Sequence, residues 1–150
     1  MKGFHKNFTF EELIKTNHTN LQNTNIEQSM KYINAGKRLS KLLGSIREAY
    51  GFALSVSSGY RCPELNIKVG SKAKSSTHMK FEAADIIPIG KTAKQFYNWL
   101  QDNAELFGDL RKAIYESHKG IVHIEVKMSV DEPLAFYTTG DNVHFVKDIV

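Results

Sequence analysis

Three side chains of this sequence have the types and the setting to hold a divalent metal. His78 and Asp85 stand seven residues apart, the first just ahead of a strand-like run and the second inside it. His123 interrupts the otherwise apolar run 121–124. Two imidazoles and one carboxylate give a tetrahedral zinc three ligands and leave its fourth position for water, the arrangement of hydrolytic zinc centres. With six histidines in the chain, a pair such as His78 and Asp85 also arises by chance, and a surface histidine and a strand-end aspartate read it equally well. His123 is more telling, because an imidazole among aliphatic neighbours needs a partner. That partner is a metal, a backbone carbonyl or Glu125. Cys62 is the chain's single cysteine, so there is no Cys-x-x-Cys pair for a closed structural site.

The elements that would position these groups follow from the spacing of apolar residues. Thr9 and Glu12 have the spacing of a capping box and predict a short helix to about residue 15. Residues 16–25, with four asparagines, read as a loop. Tyr32, Ala35, Leu39, Leu42, Leu43, Ile46 and Ala49 recur at intervals of three and four, which marks one stripe of a long helix ending at Gly51. A strand is expected over 52–57, a short helix from Pro63 to residue 69, and a small, polar, basic surface segment over 70–77. A second strand follows over 82–87, then a helix capped by Thr92 and Gln95 that packs Ala93, Phe96, Tyr97 and Leu100. Runs 113–115 and 121–127 are strands; in the latter Val122, Ile124 and Val126 face one way and Ile121, His123 and Glu125 the other. Runs 134–138 and 143–146 would form a hairpin across 140–142. Helices first, then strands with one more helix, predict an α+β fold with a small, mainly antiparallel sheet flanked by helices.

Bulk properties narrow the class. A chain of 150 residues suits one domain, 1–150. Its 41% hydrophobic and 24% charged residues exclude disorder and fibrous repeats. No apolar run approaches the roughly 18 residues of a membrane helix. The N-terminal stretch lacks an apolar signal segment, and the lone cysteine tolerates a reducing compartment, so synthesis in a cytoplasm is expected. The net charge of +4 favours an anionic polymer. The lysines are spread without a nucleic-acid recognition motif, so no nucleic-acid partner is expected.

Three blocks carry a resemblance: Ser57-Ser58-Gly59-Tyr60-Arg61-Cys62-Pro63-Glu64-Leu65-Asn66, then Ser76-Thr77-His78-Met79-Lys80-Phe81-Glu82-Ala83-Ala84-Asp85-Ile86, then Ile121-Val122-His123-Ile124. In order and approximate spacing they resemble the zinc D-alanyl-D-alanine carboxypeptidases and the related phage L-alanyl-D-glutamate endolysins, with their hedgehog-type fold, over roughly residues 8–127. The resemblance implies a Zn2+ enzyme with His78, Asp85 and His123 as ligands, and Arg61 and Ser76 meeting the substrate, a peptidoglycan stem peptide. Arg61 would also stabilise the developing oxyanion.

The general base is where the chain departs from its relatives. Many carry an acid three positions before the strand histidine, where this chain has Gly120. Others carry a histidine five positions before it, matching His118, which is preferred to Glu116 on that ground. A second departure is Phe81, where the relatives usually have glycine; phenylalanine should resist a positive φ there, so a loop of different shape is expected, and its side chain reads alternatively as a wall of the pocket or as core. The scissile bond stays open between D-Ala-D-Ala and L-Ala-D-Glu. The absence of a signal leans toward a phage lysis enzyme, a monomer made in the host cytoplasm and released onto the wall. The rival reading is a metal-binding phage structural or wall-adhesion module without catalysis.

Overall fold

The computed structural model describes residues 1–71, 76–139 and 145–149. Helices α1 (Phe10–Ile14), α2 (Gln22–Ser29) and α3 (Ile33–Tyr50) precede strand β1 (Leu54–Ser58), helix α4 (Pro63–Lys68) and strand β2 (Ala83–Pro88). Helix α5 (Ala93–Asp102) then leads into β3 (Leu110–Glu116), β4 (Ile121–Val126), β5 (Ala135–Thr139) and β6 (Phe145–Ile149). The strands form one sheet in the order β1-β2-β4-β3-β5-β6, antiparallel except where β5 runs parallel to β3. The α+β architecture is the expected one. The expected hairpin is present as the antiparallel pair β5 and β6, and its turn lies outside the described residues.

β4 is central, and all six of its residues are buried. One face of the sheet, with Ala84, Ile86, Val122, Ile124 and Val126, joins a single hydrophobic core. α3 and α5 both lie against β4. The stripe read on α3 accounts for this packing: Ala35, Leu39, Leu42, Leu43 and Ile46 are buried, each large aliphatic side chain contributing about 1.5–3 kcal/mol. Tyr32 and Ala49, at the two ends of that stripe, are half-buried and exposed. The capping box of Thr92 and Gln95 forms in both directions. At Thr9 only one half forms: the hydroxyl accepts from the Glu12 amide, while the Glu12 carboxylate turns to Lys15, 2.7 Å away.

Of residues 16–25, read as a loop, 16–18 are irregular but 19–25 are helical. A 3-10 turn over Thr19–Leu21 runs directly into α2. Asn25 and Gln22 bond across the chain instead of to their own backbone. Asn25 is fully buried; its Nδ2 donates to the carbonyls of Ile14 (2.7 Å) and Tyr60 (3.2 Å), and its Oδ1 accepts from the Cys62 amide (2.8 Å). Gln22 donates to the Ile14 carbonyl and accepts from the Thr16 amide. Of the polar segment 70–77, residues 72–75 lie outside the description, and Thr77 opens a 3-10 turn, Thr77–Lys80, capped by Ser76.

Phe81 corrects an expectation. It adopts φ +61°, the left-handed conformation a glycine would take, at a cost of order 1–2 kcal/mol. Its ring is fully buried against Tyr60, 5.4 Å between centroids, and against the bare backbone of Gly36. A Cβ on Gly36 would lie 2.7 Å from that ring. Burial of an aromatic side chain offsets the strain, so the backbone conformation is kept and the side chain becomes core.

Candidate metal centre

His78, Asp85 and His123 converge. All are buried, and one ligand atom from each lies within 4.8 Å of the others. Cross-strand register does most of this: Asp85 of β2 stands directly opposite His123 of β4, and β-pairing places partners on the same sheet face. His78 reaches the same point from the 3-10 turn. Its Nε2 lies 3.3 Å from Asp85 Oδ1, and His123 Nδ1 lies 2.9 Å from that oxygen. A tetrahedral ion with bonds of about 2.0–2.1 Å sets its ligand atoms roughly 3.3 Å apart, so the donor set fits such an ion with little movement.

Each imidazole has its other nitrogen engaged. His78 Nδ1 donates to the Gly59 carbonyl at 2.7 Å, which leaves Nε2 for a metal. Gly59 owes its identity to crowding, since a Cβ there would lie 2.1 Å from the Leu13 carbonyl oxygen. His123 Nε2 lies 2.8 Å from Glu125 Oε2. An ionised carboxylate only accepts, so this nitrogen carries the proton and Nδ1 is the ligand atom. Of the partners weighed for His123, Glu125 stands on one side of the ring, and the other side faces Asp85.

Electrostatics couple these groups to one another. Burial would raise the Asp85 pKa, but the charges and hydrogen bonds of His78 and His123 outweigh it and hold the carboxyl well below the usual range. Burial would lower the pKa of His123, but the hydrogen bonds to Asp85 and Glu125 raise it to about 9. Glu125 falls to about 2 because its contact with His123 overcomes the cost of burial.

Arg61 and Ser76 line two different cavities that share Tyr60, and among the described residues neither cavity is lined by His78, Asp85 or His123. Arg61 lines a cleft of about 510 Å³ with Lys15, His18, Ser57, Ser58 and Lys119. Its backbone amide donates to the His78 carbonyl at 3.1 Å, which ties this loop to the ligand turn. Its Nε is buried without a hydrogen-bond partner among the described residues, and burial lowers its pKa against the opposing charges of Asp85 and Glu116. Ser76 lines a neighbouring cavity of about 270 Å³ with Tyr32, Lys31, Met79 and Lys80. Its hydroxyl accepts from the His78 amide. Ser57 is the extra residue of a β-bulge in β1, a device that re-aims side chains beside sites.

The two candidate bases are placed differently. Glu116 ends β3 in register with Ile121, on the face that carries His123, and its side chain is 18% exposed. His118 sits in the β3–β4 turn and is exposed. That turn holds Gly120 at φ +65° with its amide donating to the Glu116 carbonyl, which explains a glycine where relatives have an acid.

Sequence reasoning passed over two groups. Asn25 was taken as a loop residue, although it braces the Arg61 loop. Arg111 was not singled out, although it pairs with Glu82, Glu125 and Glu132 beside the centre. The one available signal was the His123-x-Glu125 spacing, which puts both side chains on one strand face.

Comparison with known proteins agrees with this geometry. A search of curated proteins found no match. The family model for Peptidase M15 matches residues 6–125, from ahead of α1 into β4. That stretch contains all three ligands, both residues facing the clefts and both candidate bases, and the chain belongs to the peptidase M15 family.

Proposed function

We propose that this protein is a zinc-dependent peptidase acting on the stem peptides of bacterial peptidoglycan. The observation that carries the reading is the convergence of His78, Asp85 and His123 on one point, each histidine turning toward Asp85 the nitrogen that its outer partner, the Gly59 carbonyl or Glu125, leaves over. Bound there, zinc supplies Lewis acidity and lowers the pKa of water toward neutrality. The protein's own residues do the rest. Arg61, with a buried Nε at the cleft wall that is unpaired among the described residues, binds a substrate carbonyl or carboxylate and stabilises developing negative charge. Ser76 offers a hydroxyl to the peptide from the adjoining cavity. Glu116 takes a proton from the attacking water and returns it to the departing amine. We assign this role to Glu116 over His118 because it shares the ligands' sheet face and is close enough to act on the charge of Arg61.

The cleft beside Arg61 is lined by Lys15, His18 and Lys119 and, among the described residues, by no acid, which suits a peptide bearing carboxylates. A D-Ala-D-Ala carboxypeptidase and an L-Ala-D-Glu endopeptidase both meet such substrates. We favour the second, in a phage lysis enzyme made in the host cytoplasm and reaching the wall on release. Among the described residues no helix is long and apolar enough to cross a membrane. Purified cell walls should lose turbidity with the protein and keep it when a chelator is added. Mass spectrometry then separates the two bonds, because loss of a single D-Ala and release of a whole stem peptide differ in mass. A wall-adhesion module that binds metal without catalysis is the second reading, motivated by Gly120; walls that retain the protein but stay intact would establish it.

A further inference from the structure

Glu125 has no part in the chemistry above, yet it is 5% exposed and carries a charge beside the metal centre. We propose that Glu125 is the positioning residue of this centre, fixing the His123 ring directly and the His78 segment through Thr77, with Arg111 holding it in place. The inference rests on the metal-site reading and extends it.

The carboxylate divides its two oxygens. Oε2 accepts from His123 Nε2 at 2.8 Å and from the Thr77 hydroxyl at 3.0 Å. Oε1 accepts from Arg111 Nε at 3.2 Å, with Lys112 Nζ 3.9 Å away. Thr77 immediately precedes His78, so one oxygen links two ligand-bearing segments that are 46 residues apart in Thr77 to His123 numbering. A purely structural ion pair does not require this arrangement. Arg111 already has Glu132 at 2.9 Å and Glu82 at 3.0 Å, and it touches only the oxygen of Glu125 that points away from the site. A carboxylate on the far nitrogen of a ligating imidazole selects the tautomer whose free lone pair faces the metal, orients the ring and raises its basicity. Arg111, itself neutralised by two further acids, keeps Glu125 in place without bringing an unpaired cation to the centre.

The test is zinc affinity of the metal-free full chain, measured by competition with a chromogenic chelator, with thermal unfolding of the metal-free protein alongside. Glu125→Gln should bind zinc about 10- to 100-fold more weakly. Thr77→Val, which removes only one hydrogen bond, should weaken binding by about two- to tenfold. Glu132→Gln takes a partner from Arg111 without touching His123; it should leave zinc affinity at the wild-type value whatever it does to the melting temperature. With Co2+ in place of zinc, the visible bands of the Glu125→Gln protein should shift, as the field of a reoriented imidazole changes. Wild-type affinity in both Glu125→Gln and Thr77→Val overturns the proposal, as does an equal loss in Glu132→Gln. If Glu125→Gln does not fold, the contrast of Thr77→Val with Glu132→Gln decides. A wild-type protein that takes up no metal would instead sink the metal-site reading itself, and this inference with it.

Discussion

Along β4, Val122, Ile124 and Val126 face α3 and α5 at 0% exposure, while on the reverse side His123 and Glu125, 8% and 5% exposed, meet Asp85, Thr77 and Arg111. Both sides are dry. Apolar burial on the first needs only volume and shape to match, and it tolerates a swap of one aliphatic residue for another of similar size. Burial of charges on the second is stable only when every donor and acceptor is answered, because an orphaned buried charge costs several kcal/mol. The same strand thus carries one face whose residues are exchangeable and one whose residues are not. The hydrogen-bond chain from Asp85 through His123 and Glu125 to Arg111 is what allows a histidine and a glutamate to be buried side by side in a central strand.

The sharpest way to break the contrast is on the polar face. His78→Ala or Asp85→Ala should abolish zinc retention and lower hydrolysis of cell walls by at least about a thousandfold, with circular dichroism unchanged. A chelator should reproduce that loss in the wild type, and added zinc should reverse it in the wild type only. Full activity in either variant would remove the ligand assignment.

Next in size is the proton-transfer pair. Glu116→Gln should lower kcat by about 10²- to 10⁴-fold at undiminished zinc content, whereas His118→Asn should stay within about threefold of wild type. The opposite ranking, read from initial rates, would return the role to His118.

The apolar face is expected to respond in stability instead. Ile124→Ala should cost about 2–5 kcal/mol in denaturant unfolding while the folded fraction keeps its zinc affinity. Smaller still, Asn25→Ala should cost about 1–3 kcal/mol by taking their Asn25 partner from the Cys62 amide and the Tyr60 carbonyl, while the Ile14 carbonyl keeps its bond from Gln22. Because those bonds brace the loop of Arg61, this variant should also raise KM; a rise in melting temperature, or an unchanged KM, would count against that account.

Legibility in the sequence followed the range of the interactions. The α3 stripe and the Thr92 capping box depend on residues three or four apart and were readable as such. The alternation in β4 was also readable, and with it the shared face of His123 and Glu125. Residues 19–25 were misread because their partners lie elsewhere: polar side chains signal hydrogen bonding but not with whom, and Asn25 bonds residues up to 37 positions away. Phe81 was misjudged for the same reason. Its strain is local, but the compensation is a glycine on α3, 45 positions earlier in the chain.

By itself the sequence determined the candidate ligands, their order along the chain and the local elements they occupy, since residue chemistry and hydrophobic period are properties of neighbouring positions. Tertiary structure decided that these ligands meet. Asp85 and His123 come within 2.9 Å only through the antiparallel register of β2 on β4, and a slip of one residue would send their side chains to opposite faces of the sheet. It likewise decided which nitrogen each histidine offers, because the Gly59 carbonyl and the Glu125 carboxylate that occupy the other nitrogens are brought there by folding.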